Sequence, residues 1–199
     1  GGGVAMQFFW QFPQRTERLV LVSSGGLGQE VSPLLRSMAL PGIGLVVAAA
    51  AHPGVVNTLA ATGRQGRVIA RALRPLSQPG ARRAFLQTLR SVIDVRGQRV
   101  SAVDRLYLLE AMPTLIVWGE RDNTIPIEHG RAAHRMIPGS RFETLPRAAH
   151  FPHLEDPAGL AAVLGDFLAT TSAADLDDAD WHELVAPRSQ RRRRMSAVA

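Results

Sequence analysis

The sequence predicts an α/β fold built on a parallel sheet, and three observations carry that prediction. Short β-branched apolar runs at Arg18 to Ser23, Thr114 to Trp118 and Arg141 to Leu145 have the length and composition of strands buried on both faces. Helical segments follow the second and third of these strands, over about Ile127 to Met136 and Pro157 to Ala169. Strands alternating with helices imply parallel pairing through right-handed crossovers. In such sheets the ligand-binding groups sit beyond the carboxyl ends of the strands. Ser24, Asp122 and His150 all fall there.

The chain begins Gly1-Gly2-Gly3-Val4-Ala5-Met6 and runs through an apolar stretch of helical character to Pro13. Glycine costs about 1 kcal/mol per helical position relative to alanine. Glycines opening a helix therefore make sense where another element packs very close to it. The first strand ends at Ser24-Gly25-Gly26.

Residues 27 to 105 show no convincing strand. Leu34 to Leu40, Gly44 to Ala51, Val55 to Leu59, Val68 to Leu73 and Ala81 to Val95 read as short helices, punctuated by Pro41, Pro53, Gly63, Pro75 and Pro79-Gly80. Such an insert between strands reads as a lid or as an ordinary helical subdomain.

The strand Thr114 to Trp118 breaks at Gly119 and delivers Asp122 into a loop. The strand Arg141 to Leu145 does the same for His150. After Thr171 the chain turns acidic, offers one amphipathic turn at Trp181 to Val185 and ends in the run Arg191 to Arg194. Residues 172 to 199 read as a flexible tail.

Composition removes several function classes. Apolar residues make up 46% of the 199, which suits a globular domain with a sizeable core. All 23 basic residues are arginine, and the formal charge is +6. Part of that charge lies in the terminal arginine run, and aromatic residues do not interleave with basic ones as in a base-stacking surface, so no nucleic-acid partner is expected. There is no cysteine, which excludes disulfides, thiolate metal sites and a cysteine nucleophile. The longest apolar run, Ile43 to Ala51, is too short for an integral membrane segment, which needs about 20 residues. No leader pattern is visible, and the sequence reads as cytoplasmic. His129, His134 and His150 form no H-x-x-E-H or H-E-x-x-H pattern, so no metal site and no cofactor is expected. Gly25 to Gly28 lacks the lysine of a phosphate loop.

Two stretches carry the chemistry. G-E-R-D-N-T-I-P at Gly119 to Pro126 and A-H-F-P-H-L-E-D-P at Ala149 to Pro157 resemble the acid loop and the histidine loop of the α/β-hydrolase family. Their key residues stand 28 positions apart, with room for one helix and one strand. R-L-V-L-V-S-S-G-G at Arg18 to Gly26 resembles that family's sixth strand, after which a helical cap is often inserted. The resemblance implies the C-terminal three strands of an α/β-hydrolase sheet. The core would comprise residues 1–26 and 106–171, and the cap residues 27–105. It further implies that Asp122 orients His150, and that His150 serves as general base and then general acid. Imidazole, which ordinarily titrates at about 6.5, suits both roles. The simpler reading of Asp122 is a cap for the helix beginning near Pro126. His153, Glu155 and Asp156 read as structural, the two acids as helix-start carboxylates.

The family's nucleophile elbow is G-x-S-x-G followed by a small residue and a helix. Gly1 to Met6 resembles the tail of that motif. The serine would stand two positions before Gly1, so none is expected within this chain, and no G-x-S-x-G occurs in it. The resemblance implies a cap-bearing serine esterase type acting on an ester, or on a C–C bond, of a small apolar acyl substrate. An aspartate at the elbow would instead imply an epoxide hydrolase or dehalogenase. A remnant without an elbow would be a non-catalytic interaction protein. The oligomeric state is not written in the sequence.

Overall fold

The computed structural model describes residues 1–186, and the arginine run at 191–194 lies outside them. Three strands form the main sheet: β1 (Leu19–Val22), β4 (Thr114–Gly119) and β5 (Arg141–Leu145). They lie in the order β1-β4-β5, all parallel, with Leu21 opposite Ile116 and Trp118 opposite Thr144. Every residue of the central strand β4 is buried, as a run of Thr, Leu, Ile, Val and Trp requires.

Alternation along β4 divides the core. Ile116 and Trp118 face one side, with Met6 and Phe9 of α1 (Gly2–Gln11). Leu115 and Val117 face the other, with Leu145 and the Leu160 and Phe167 side chains of α9 (Pro157–Thr170). Helix α7 (Ile127–Met136) joins the first side through Ala133. The result is a sheet covered by helices on both faces. The Trp118 indole N–H donates to the Ile125 carbonyl at 3.2 Å, which ties the loop after β4 to the strand that precedes it.

The opening glycines have a partial explanation. A Cβ on Gly2 would lie 1.9 Å from the Ser24 hydroxyl oxygen, so α1 starts pressed against the end of β1. Gly1 and Gly3 face open space. Ser23 sits at φ 43°, a strained backbone for a residue with a Cβ, at the end of β1 where the chain leaves the sheet.

Between β1 and β4 come α2 (Pro33–Ser37), α3 (Ile43–Ala50), α4 (Pro53–Ala61), α5 (Arg64–Leu73) and α6 (Pro79–Val92). One expectation needs correction: this region does contain strands. The helix expected to run from Ala81 to Val95 ends at Val92. Ile93–Asp94 (β2) then pairs antiparallel with Gly97–Gln98 (β3). Two-residue strands are too short to show any alternation, and the turn depends on Gly97 at φ 128°. The hairpin braces the loop after β1. Gln98 accepts from Gly26 N–H at 2.6 Å and donates to the Gly28 carbonyl at 2.7 Å.

Helix α8 (Pro152–Glu155) leads into α9, and α10 (Asp178–Val185) ends the described residues. Part of the segment expected as a flexible tail is packed. Asp177 and Asp180 cap the start of α10 reciprocally, Leu184 is buried, and the Trp181 ring meets Phe9 edge-on at 5.5 Å. A tryptophan on a single amphipathic turn is enough to dock it. No single helix among the described residues is long and apolar enough to cross a membrane. Only the bent pair α3 and α4 meets that length and composition, when taken together.

Candidate active site

The site is built at the carboxyl ends of β4 and β5, where the chain leaves two neighbouring parallel strands. Asp122 reaches it through the loop after Gly119, and His150 through the loop after Leu145. The Asp122 Oδ2 lies 2.9 Å from the His150 Nδ1. The Asp122 side chain is fully buried and that of His150 is 23% exposed. The buried acid therefore holds one ring nitrogen while part of the ring meets solvent.

Asp122 does not cap α7, as the simpler reading had it: the N-cap there is Pro126, with no side-chain cap bond, and Asp122 instead holds the loop that leads to it. Its Oδ1 accepts the backbone N–H of Thr124 at 2.8 Å and of Ile125 at 3.0 Å. One carboxylate oxygen shapes the loop and the other orients the imidazole. Those two backbone bonds lock the rotamer, so Oδ2 is aimed before any substrate arrives.

The histidine loop is fastened by a residue whose role the sequence reading missed. The Glu155 Oε2 accepts the N–H of Ala149 at 2.6 Å and of Phe151 at 3.2 Å, one on each side of His150. Glu155 is buried, at 6% exposure, so these bonds are shielded from water. It acts as a positioning residue, not as a helix-start acid. Asp156 does behave as expected, capping α9 through Gly159 N–H at 3.3 Å. The available signal was the spacing: an acid five residues after the histidine, across one helical turn.

Gly119 brings the two loops together. A Cβ there would lie 2.0 Å from the Ala149 carbonyl oxygen and 2.6 Å from that of Ala148. The Arg121 N–H donates to the same Ala148 carbonyl at 3.0 Å. Only glycine lets the acid loop and the histidine loop share backbone at this range.

Ser24 lies at the neighbouring strand end, but its hydroxyl donates to the Gly25 carbonyl at 2.8 Å. The buried Ser23 hydroxyl has no hydrogen-bond partner among the described residues. Neither is hydrogen-bonded to His150 among those residues. No group of three His, Cys, Asp or Glu side chains among the described residues could hold a metal ion. His134 bonds the Ser140 hydroxyl at 2.9 Å, within the α7 to β5 connection.

His129 serves a structural purpose that the sequence did not reveal. Its Nε2 meets the Glu30 carboxylate at 2.7 Å, and its ring fills the space where a Cβ of Gly28 would lie, 2.4 Å away. The Glu30 carboxyl is held below its ordinary value near 4.5, first by its own backbone N–H and then by His129. A depressed folded-state pKa stabilises the fold above the unfolded value, and that contribution is lost as pH falls through the folded value. The melting-temperature gap between the wild type and Glu30→Gln is therefore expected at neutral pH. It should close as the pH is lowered past 4.5 and below. A gap that persists unchanged in acid would count against this pairing.

A parallel sheet covered by helices on both faces, with an acid–imidazole pair at the carboxyl ends of two neighbouring strands, is an arrangement of the α/β-hydrolase fold. Residues 1–163 match the model of the alpha/beta hydrolase family, and the chain belongs to that family. It is 40% identical over 198 residues to an uncharacterized protein of Mycobacterium tuberculosis, covering 93% of this chain and 58% of that one. It is 26% identical over 175 residues to the 2-hydroxy-6-oxo-6-phenylhexa-2,4-dienoate hydrolase of Burkholderia cepacia, covering 85% of this chain and 60% of that one. The meta-cleavage product hydrolase of Pseudomonas fluorescens shares its fold at a TM-score of 0.62 and 19% identity, over 85% of this chain and 61% of that one. The chain thus spans about three fifths of the length of these proteins.

Proposed function

We propose that this chain supplies the acid and the base of a serine hydrolase triad, Asp122 and His150, and that the nucleophile belongs to residues preceding Gly1 in a longer protein. The supporting observation is the 2.9 Å bond from a fully buried carboxylate to an imidazole that remains partly open to solvent. In the reaction, the His150 Nε2 takes the proton of the attacking alcohol, while the Nδ1–H stays bonded to Asp122. Asp122 stabilises the imidazolium and is not itself protonated. His150 then returns the proton to the leaving group, and a water repeats the cycle to release the acid product.

The substrate is an ester, or a C–C bond beside a carbonyl, in a small acyl compound with an apolar part. The similarity to a hydrolase named for a phenyl-bearing oxo acid supports that class. So does the apolar character of α3 and α4, which lie on the insert between β1 and β4.

The test is direct. The 199-residue chain, shown by circular dichroism to be folded, is expected to hydrolyse p-nitrophenyl butyrate at the blank rate. The same chain extended by its preceding codons is expected to turn the ester over. Turnover by the 199-residue chain that disappears on His150→Ala would place the nucleophile within it and overturn this reading.

A further inference from the structure

Helix α5 carries Arg64, Arg67 and Arg71, and Arg74 follows at its C-cap. The intervals of three, four and three residues put all four on one helical face, over about 15 Å of axis. All four are exposed, and among the described residues none makes an ion pair or a side-chain hydrogen bond. Arg67 and Arg71 stand one turn apart, where like charges repel. Three other carboxylates are engaged away from α5: Asp156 with Arg147, Glu155 with the histidine loop, and Asp166 with Arg141. The helix therefore holds a line of positive charge that the described residues leave uncompensated.

That line forms one wall of a groove of about 840 Å³. The lining also includes His153, Leu154 and Pro157, and the apolar side chains of Val68 and Ala70. The groove starts close to the candidate active site. The His150 ring packs on Phe151 at 5.0 Å between centroids, and Phe151 packs on His153 at 6.1 Å. One aromatic ring separates the general base from a side chain that lines the groove.

We propose that this groove binds the phosphate groups of an acyl ester or thioester, with the acyl end directed past His153 toward His150. This deepens the hydrolase reading, and rests on it for the direction of the acyl end. One carboxylate is satisfied by one guanidinium fork, whereas four guanidiniums spread over about 15 Å match a small ligand with several anionic groups. A concave groove of this volume fits a small molecule. The apolar lining residues Val68, Ala70, Leu154 and Pro157 fit the acyl chain. Bound phosphates relieve the repulsion along α5.

The experiment measures binding, so failure of the triad reading leaves it intact. In the full-length protein carrying His150→Ala, which removes turnover, octanoyl-coenzyme A, octanoate and inorganic tripolyphosphate are titrated by calorimetry at low and high salt. Octanoyl-coenzyme A is expected to bind at least tenfold tighter than either of the others, with an affinity that falls as salt rises. Arg67→Glu with Arg71→Glu is expected to weaken it at least tenfold, and the exposed control Arg135→Glu on α7 less than twofold. Arg67→Gln with Arg71→Gln removes the charge without inverting it. It is expected to give a smaller loss with no fall in melting temperature, which separates lost binding from lost folding. Binding no tighter than octanoate, or unchanged by either arginine pair, overturns the proposal. Tripolyphosphate binding as tightly as octanoyl-coenzyme A would make this a phosphate-only site and overturn the acyl assignment. A glutamate-rich helical peptide binding tighter than octanoyl-coenzyme A would overturn it in favour of an acidic protein.

Discussion

His150→Ala in the full-length protein is expected to lower kcat toward a small ester by about four orders of magnitude, with KM within a few-fold of the wild type. In the proposed triad the imidazole takes part only when the proton moves, so its loss falls on the transition state and not on substrate binding. Asp122→Asn is expected to cost a similar factor, for a reason visible in the loop. An asparagine can keep its carbonyl oxygen on the Thr124 and Ile125 N–H groups, where Oδ1 now sits. Its amide N–H groups then face the His150 Nδ1, which must accept instead of donate. The ring is left in the wrong tautomer, with its proton on the nitrogen that should receive one. Asp122→Asn should therefore fold like the wild type and fail in turnover, whereas Asp122→Ala should lose stability as well. Single-turnover and steady-state rates, with melting temperatures for each variant, decide this. A His150→Ala protein within threefold of wild-type kcat would sink the assignment.

Gly119→Ala is expected to damage both stability and rate. Its new Cβ would sit 2.0 Å from the Ala149 carbonyl oxygen, and the loop must retreat by about 1 Å to admit it. The obstacle is backbone, which has no rotamer to yield. Overpacking at such a point costs about 3 kcal/mol, or roughly 10 °C of melting temperature for a chain of this size. His150 follows Ala149 directly, so it moves with the loop. A displacement of about 1 Å between reacting groups lowers rate by about 100-fold. Gly165→Ala on α9 is the matched control: a Cβ there meets nothing within 4 Å. It should be neutral or stabilising by about 0.5–1 kcal/mol, because alanine is the better helix former. Equal behaviour of the two variants would show that Gly119 is not required by close backbone approach.

That Asp122 and His150 stand at the carboxyl ends of neighbouring strands was legible in the sequence. The run Thr114 to Trp118 reads as a strand buried on both faces, and Gly119 breaks it and delivers Asp122 into the loop at its carboxyl end. The same logic placed His150. Other parts of the site were hidden because their cause is not local. Glu155 looks like a helix-start carboxylate, since it stands just before Pro157, which opens α9. Its true partners are two amides that face it only after the loop has closed. The β2–β3 hairpin escaped notice because two residues per strand leave no periodicity. His129 looked like one histidine among several until Gly28 was seen to lie against its ring.

The arginines of α5 show the same division. Their helical spacing could be counted in the sequence, but part of the groove they line is supplied by residues some ninety positions later. By itself the sequence determined which segments become buried strands, and which acid and which imidazole stand at their carboxyl ends. Apolar run length and glycine breaks are properties of neighbouring residues. Tertiary structure alone decided that Asp122 divides its two oxygens between a loop and a ring, that Glu155 clamps that ring's loop, and that four uncompensated guanidiniums border it. Hydrogen bonds and charge compensation depend on distances between segments far apart in the chain, and only folding sets those distances.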